Sequence, residues 1–122
     1  MGRTRPDLAR WGEAFGSVKP AAPFLFCRET KDPDCAFHAR MFAPHLGIVE
    51  DPATGSAAAA FAGVLAAQAG LADGEHRLAI EQGLEMGRPS IIHLSLTLRE
   101  GALAAASIGG DAVVVSEGTI RA

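Results

Sequence analysis

The sequence predicts an α+β fold in which a curved β-sheet or incomplete β-barrel wraps around one buried central helix. Its 122 residues are enough for one domain with its own core. Residues 57–69 are apolar except for Gln68, and alanine, the best helix former, dominates them. A helix that is apolar on every side has to be enclosed. Segments with strand composition follow it, and we expect them to enclose it: residues 77–82, 90–98, 102–109 and 111–118.

Three elements are predicted before the central helix. Residues 6–15 carry Leu8, Trp11 and Phe15 on one side of a short amphipathic helix. Residues 24–27 form a strand, which Pro23 restricts to an edge or to the beginning of a strand. The strand at residues 36–42 alternates between two faces: Phe37, Ala39 and Met41 on one, and His38, Arg40 and Phe42 on the other.

The strands after the helix are marked by turns and by alternation. Gly70 offers a stop for the helix, and Glu100-Gly101 is a hairpin turn. The longest strand alternates, with Ile92, Leu94, Leu96 and Leu98 on one face. A final short strand is expected at residues 119–122. The helix at residues 57–69 would be about 20 Å long, which is too short to cross a bilayer.

Composition excludes several classes of function. The net charge of −3 and the lack of a basic run argue against nucleic acid or an anionic membrane as a partner. Cys27 and Cys35 lack the spacing of a zinc site and are expected to be small buried side chains, so we expect no metal. Residues 1–10 lack the apolar core of a signal peptide, which makes the cytoplasm the expected location.

The stretch EDPATGSAAAAFAG, residues 50–63, holds the best candidate site. The first N–H groups of a helix need acceptors, which Thr54 or Ser56 can supply as caps. The same N–H groups can instead hold a carboxylate or a phosphate, and Gly55 lets a ligand approach the main chain closely. Asp51 is near enough in sequence to act on such a ligand. From these residues alone, both a plain turn with an N-cap and an anion site remain open.

Other polar residues carry weaker signals. The four histidines lack metal-ligand spacing and are expected on the surface or on strand faces. Among them, His45 is the best candidate for a functional role, since it lies just before residues 50–63. Arg40 could orient Glu50 or Asp51, although a solvated strand arginine is the simpler interpretation. The segment IEQGLEMGRPS, which includes Gln82 and Gly83, is expected to be a turn-rich structural connection.

Three segments together resemble a known family: RMFAPHLGIVEDPATGSAAAAFAGVL, IEQGLEMGRPS and SIGGDAVVVSEGTI. They are similar to the second, C-terminal domain of PhzF-like phenazine-biosynthesis proteins, which are relatives of diaminopimelate epimerase. The resemblance implies that residues 1–122 form one such domain, a barrel around a helix. It implies an isomerase or epimerase that needs no metal or organic cofactor and moves a proton at a carbon near a carboxylate. Asp51 matches the acid/base position, and Thr54, Gly55 and Ser56 match the loop that contacts the ligand carboxylate.

The resemblance also implies that a partner is needed. Family members have two similar domains with the active site between them, and the principal catalytic glutamate belongs to the first. No segment here resembles that first domain. We therefore expect a homodimer or a separate first-domain chain to complete the cleft, and a small carboxylate-bearing molecule as the ligand. The alternatives are a non-catalytic module that binds a small acid or a protein, and an inactive product of a truncated gene.

Overall fold

The fold is mixed α+β, with a six-stranded curved sheet and few helices. The computed structural model describes residues 1–17 and 22–121. The helices are α1 (Trp11–Phe15) and α2 (Gly55–Gln68), with short 3₁₀ turns at Pro44–Leu46 and Leu84–Met86. The strands are β1 (Phe24–Cys27), β2 (Phe37–Ala43), β3 (Ile48–Asp51), β4 (Gly74–Gln82), β5 (Ser90–Arg99) and β6 (Ala102–Gly109). Within these described residues, no helix is both long and apolar enough to cross a membrane.

The sheet has the order β1-β2-β4-β5-β6, and β3 pairs with β2 beside this path. The β2–β4 pair is parallel, and every other pair is antiparallel. The predicted hairpin turn between β5 and β6 is confirmed: Glu100 and Gly101 both have positive φ, and the Asp73 carboxylate accepts both of their N–H groups. The five strands predicted up to residue 110 all lie within about three residues of their expected ends, β4 being the one that begins earlier, whereas β3 was not predicted.

The core lies between the curved sheet and one face of α2. Ala58, Phe61, Ala62 and Leu65 of α2 are buried. They pack against side chains from strands across the sheet, among them Phe37, Ala39, Ile80, Ile92, Leu94, Leu96 and Leu98. Alternation along β5 is as predicted, with its even-numbered side chains from residue 92 to 98 buried. This arrangement confirms the predicted fold class.

The expectation that α2 is enclosed on every side is wrong for this chain. Ala60, Gly63, Val64 and Ala67 are exposed. The sheet curves around the helix but stays open, so the side of α2 turned away from the strands meets solvent. An all-apolar helix is expected to be buried on every side, but its sequence does not show whether the same chain or another one buries it.

The predicted strands at residues 111–118 and 119–122 are also wrong over the described residues, since 111–121 contain no strand. Val113, Val114, Val115 and Ile120 are 85–93% exposed. A β-branched run favours extended backbone, but a strand also needs a hydrogen-bonded neighbour, and this segment pairs with none of the described strands. The first helix is shorter than predicted, because residues 7–10 form a turn in which Asp7 accepts the N–H groups of Ala9 and Arg10.

Candidate functional site

Two strand ends meet at one side of β2 and form the base of the candidate site. β4 runs parallel to the first half of β2 and ends with Gln82 opposite Ala39. β3 runs antiparallel to the second half and ends with Asp51 opposite Met41. The last residues of β3 and β4 therefore converge, although they are far apart in sequence. The chain leaves β3 through Pro52 and enters α2 directly above this junction.

Asp51, Thr54 and Gln82 form one hydrogen-bonded group. The Thr54 hydroxyl donates to Asp51 Oδ2 at 2.6 Å. Gln82 Nε2 donates to the main-chain oxygen of Asp51 at 2.7 Å and to Thr54 Oγ1 at 3.0 Å, and Gln82 Oε1 accepts the Thr54 N–H at 3.4 Å. Gln82 is fully buried and Thr54 is buried, whereas Asp51 is partly exposed. The buried Gln82 side chain thus holds the segment from Asp51 to Thr54 in place.

The first turn of α2 leaves main-chain donors available. Thr54 is the N-cap residue but makes no side-chain cap bond, so the predicted hydroxyl cap from Thr54 is wrong. The first helical bond is from the Ala58 N–H to the Thr54 oxygen. Among residues 1–17 and 22–121, no acceptor bonds the N–H groups of Gly55, Ser56 and Ala57. Three unpaired N–H groups at a helix N-terminus can hold an anion.

A cavity of about 470 Å³ opens at this end of α2. Gly55 lines it, together with Ala53, Ser90, Ile91 and, across the cavity, Asp111. A Cβ on Gly55 would meet the Ile108 side chain at 3.5 Å, an ordinary contact. Ser56 is exposed. Asp51, at the end of β3, does not line this cavity. The structure therefore brings Asp51 and Thr54 into contact, whereas Gly55 lines the cavity and Ser56 is exposed.

An ionic cluster built on β2 includes Glu50, the residue before Asp51. The Arg40 guanidinium is 2% exposed and binds Glu50 through two hydrogen bonds of 2.8 and 2.9 Å. It also donates to the main-chain oxygens of Met1 and Thr4. The hydrogen bond to Glu50 is the main reason that the pKa of Arg40 is raised. The prediction of a solvated arginine is therefore wrong, and the alternative that Arg40 orients Glu50 is confirmed.

His38 lies in the same cluster, on strand β2, which is one of the two places expected for the histidines, and it is buried there. Its Nδ1 lies 2.7 Å from Glu81 Oε1, and its Nε2 lies 3.0 Å from Glu85 Oε1. Glu81 also accepts the N–H groups of Lys31 and Asp32, both at 2.8 Å. Burial by itself raises the pKa of Glu81, but these hydrogen bonds outweigh it, so the pKa lies below its ordinary value.

Neither cysteine is in a disulfide: Cys27 is half-buried and Cys35 is buried. Burial is the main cause of the raised pKa of the Cys35 thiol, and the nearby carboxylates of Asp32 and Glu81 add to it. In the part of the chain that the structure describes, no group of three or more His, Cys, Asp or Glu side chains could hold a metal ion.

Gln82 was not predicted to belong to the site, because the segment that contains it was expected to be a structural connection between strands. Gly83, which follows it, has a φ of 81°, and a Cβ there would clash with the main-chain oxygens of Pro52 and Arg88. Glycine at this point lets the segment after β4 press against the Asp51–Thr54 loop. The signal available in the sequence was a polar amide directly before a glycine, at the end of an apolar strand.

The sequence is similar to known proteins. Residues 6–118 match the family model described as phenazine biosynthesis-like protein. An uncharacterised isomerase of Mesorhizobium japonicum is 50% identical over 122 residues, which cover 98% of this chain and 40% of that protein. Trans-2,3-dihydro-3-hydroxyanthranilate isomerase of Pseudomonas chlororaphis is 39% identical over 84 residues, which cover 69% of this chain and 30% of that protein.

The fold is also similar to a solved structure. The Bacillus anthracis phenazine biosynthesis protein of the PhzF family superimposes with a TM-score of 0.72 at 22% identity, over 88% of this chain and 41% of that one. The chain thus spans about two-fifths or less of the length of these relatives. The family model covers most of the chain, and relatives in the family are named isomerases. The chain belongs to the PhzF-like phenazine-biosynthesis family.

Proposed function

We propose that this chain is one domain of a PhzF-like isomerase, and that it moves a proton at a carbon next to a carboxylate. In this proposal it corresponds to the second domain of the family. Asp51 is the proton-transferring group, and the ligand carboxylate lies on the N–H groups of Gly55 and Ser56. The observation that carries the proposal is the combination of three unpaired helix N–H groups with a fixed carboxylate in the preceding loop.

The chemistry follows from the charges at the helix end. When the C–H bond beside a carboxylate breaks, its electron pair delocalises onto the carboxylate oxygens, which gain negative charge. N–H groups that already point at those oxygens stabilise that charge without reorganising. The proton passes to a carboxylate oxygen of Asp51 and is later returned to the ligand carbon skeleton, so no external oxidant or reductant is needed. The Pseudomonas relative is named for a hydroxyanthranilate substrate, which carries a carboxylate, and this supports the ligand class.

In this proposal, another domain or another chain supplies the second acid/base carboxyl group and the surface that excludes water from the ligand. The exposed side of α2 and the exposed valines of residues 113–115 are apolar surface that another chain or domain can cover. We propose a first-domain chain or a second copy of this chain for that role. If neither supplies a second acid/base, the same N–H groups support the alternative function, a non-catalytic module that binds small acids.

The self-association of this surface is directly measurable. We expect light scattering at tens of micromolar to give the mass of a dimer, since a twofold interface can cover the same apolar patch on both copies. Val64→Lys places a charge on the exposed side of α2 and should shift the mass toward that of a monomer. A wild-type chain that stays monomeric would remove the homodimer and leave the first-domain chain as the proposed partner.

Carboxylate binding is expected to move the amide resonances of Gly55, Ser56 and Ala57 most in a titration with small carboxylic acids followed by NMR. Gly55→Ala should keep the fold, because its Cβ makes only an ordinary contact, and should weaken binding by crowding the N–H groups. Gly63→Ala is the matched control in the same helix, where a Cβ meets nothing within 4 Å, and should bind as the wild type does. Shifts confined to other parts of the chain would contradict the proposed carboxylate site.

A further inference from the structure

We propose that Gln82 is a positioning residue that decides which oxygen of the Asp51 carboxylate is free to move the proton. The inference rests on the proposed function, because it concerns the same carboxylate. Gln82 is not itself a lining residue of the cavity, and it acts through Thr54 and through the main chain of Asp51.

The orientation of the Gln82 amide is determined by its partners. The main-chain oxygen of Asp51 can only accept, and it lies 2.7 Å from the terminal nitrogen of Gln82. The NH₂ group therefore has to face Asp51, and the amide oxygen is left to face the Thr54 N–H. A flipped amide would place two acceptors against each other in a fully buried position, which is costly.

The direction of the Thr54 hydroxyl follows from that orientation. Its oxygen accepts a hydrogen bond from Gln82 Nε2, so its own proton is available for Asp51 Oδ2, 2.6 Å away. Asp51 Oδ2 is then occupied by a short bond to a donor. Asp51 Oδ1 has no hydrogen-bond partner among the described residues, so Oδ1 is the oxygen left to take up and return a proton.

Packing alone does not account for a glutamine at this position. An apolar side chain of similar volume would fill the same space without requiring three polar partners. The amide instead uses both donors and its acceptor on the Asp51–Thr54 loop, and the clash expected at Gly83 shows that the following turn is pressed against Pro52. The loop is therefore held both by contact and by directed hydrogen bonds.

The first test uses the chain without ligand. In the wild type we expect the Thr54 hydroxyl proton to exchange slowly with water and to show an NOE to the Gln82 side-chain amide. Gln82→Met should remove both signals while the amide spectrum of β4 and β5 stays that of a folded protein. If Gln82→Met fails to fold, Gln82→Asn takes its place, since its amide is one methylene shorter and cannot make the same bonds to Asp51 and Thr54. Gln68→Met, at an exposed glutamine, is the control.

The second test separates positioning from binding. Gln82→Met should slow solvent-deuterium incorporation into a small carboxylic acid by about 10²-fold, as misplacement of a reacting group does, while carboxylate affinity stays unchanged. An unchanged Thr54 hydroxyl signal in a folded variant, or affinity lost together with rate, would overturn the role of Gln82. If the wild type incorporates no deuterium, the proposed function fails, and the hydroxyl experiment still decides whether Gln82 positions Asp51.

Discussion

Glu81→Gln is expected to lower the free energy of unfolding by about 3–5 kcal/mol, the usual cost of breaking a buried charged group's interactions. Glu81 Oε1 accepts the Lys31 N–H and lies against His38 Nδ1, and Oε2 accepts the Asp32 N–H. The side chain is 3% exposed, so water cannot replace a lost partner. Glutamine offers one acceptor oxygen, and its NH₂ group would face a donor. Chemical denaturation of both proteins at neutral pH measures the difference.

The matched control is Glu75→Gln, at the exposed beginning of the same strand. Glu75 pairs with Arg77 on the surface, and both side chains are more than half exposed. Such pairs contribute little, so the loss should stay below about 1 kcal/mol. Equal losses in the two variants would contradict the structural role assigned to Glu81.

The contribution of Glu81 to stability should also depend on pH. The pKa of Glu81 is lower in the folded chain than its ordinary value of 4.5. The unfolded state therefore binds the proton more readily, and the stability that Glu81 contributes is fully present above about pH 4.5 and is lost as pH falls through the lower folded pKa. The gap in unfolding free energy between wild type and Glu81→Gln should accordingly narrow below pH 4.5.

Local patterns were sufficient to predict the central helix and five of the six strands, all but β3. The apolar alanine-rich run gave α2, the alternation of residues 92–98 gave the buried face of β5, and Glu100-Gly101 gave the hairpin. Each of these features depends on residues close together in sequence. Pairing depends on more, which is why Val113–Val115 were expected in a strand and lie unpaired and exposed instead.

The candidate site was predictable in part. Asp51, Thr54, Gly55 and Ser56 follow one another at the beginning of α2, so a helix-end argument finds them. Gln82 comes to Asp51 only because β3 and β4 both pair with β2, and that register cannot be read from a local pattern. Likewise, alternation placed His38 and Arg40 on the second face of β2, but it could not show that Glu81, Glu85 and the N-terminal segment cover that face.

Asp51→Asn is expected to have the largest effect on chemistry. An amide cannot take up a proton at neutral pH, while it keeps nearly the same shape and can still accept the Thr54 hydroxyl bond. Loss of a general acid/base costs about 10²–10⁴-fold in rate. The carboxylate should still bind, since its proposed ligands are main-chain N–H groups. Asp34→Asn is the matched control, at an exposed carboxylate that does not line the cavity at Gly55.

The central claim, that Asp51 moves a proton at a carbon beside a bound carboxylate, is tested most directly by solvent-deuterium incorporation. Small amino and hydroxy acids are incubated with the chain in D₂O, and loss of the proton signal at the carbon next to the carboxylate is followed by NMR. The account predicts incorporation by the wild type and by Asp34→Asn, and at least about a 10²-fold slower rate in Asp51→Asn. Equal rates in wild type and Asp51→Asn, or no incorporation by the wild type, would contradict it.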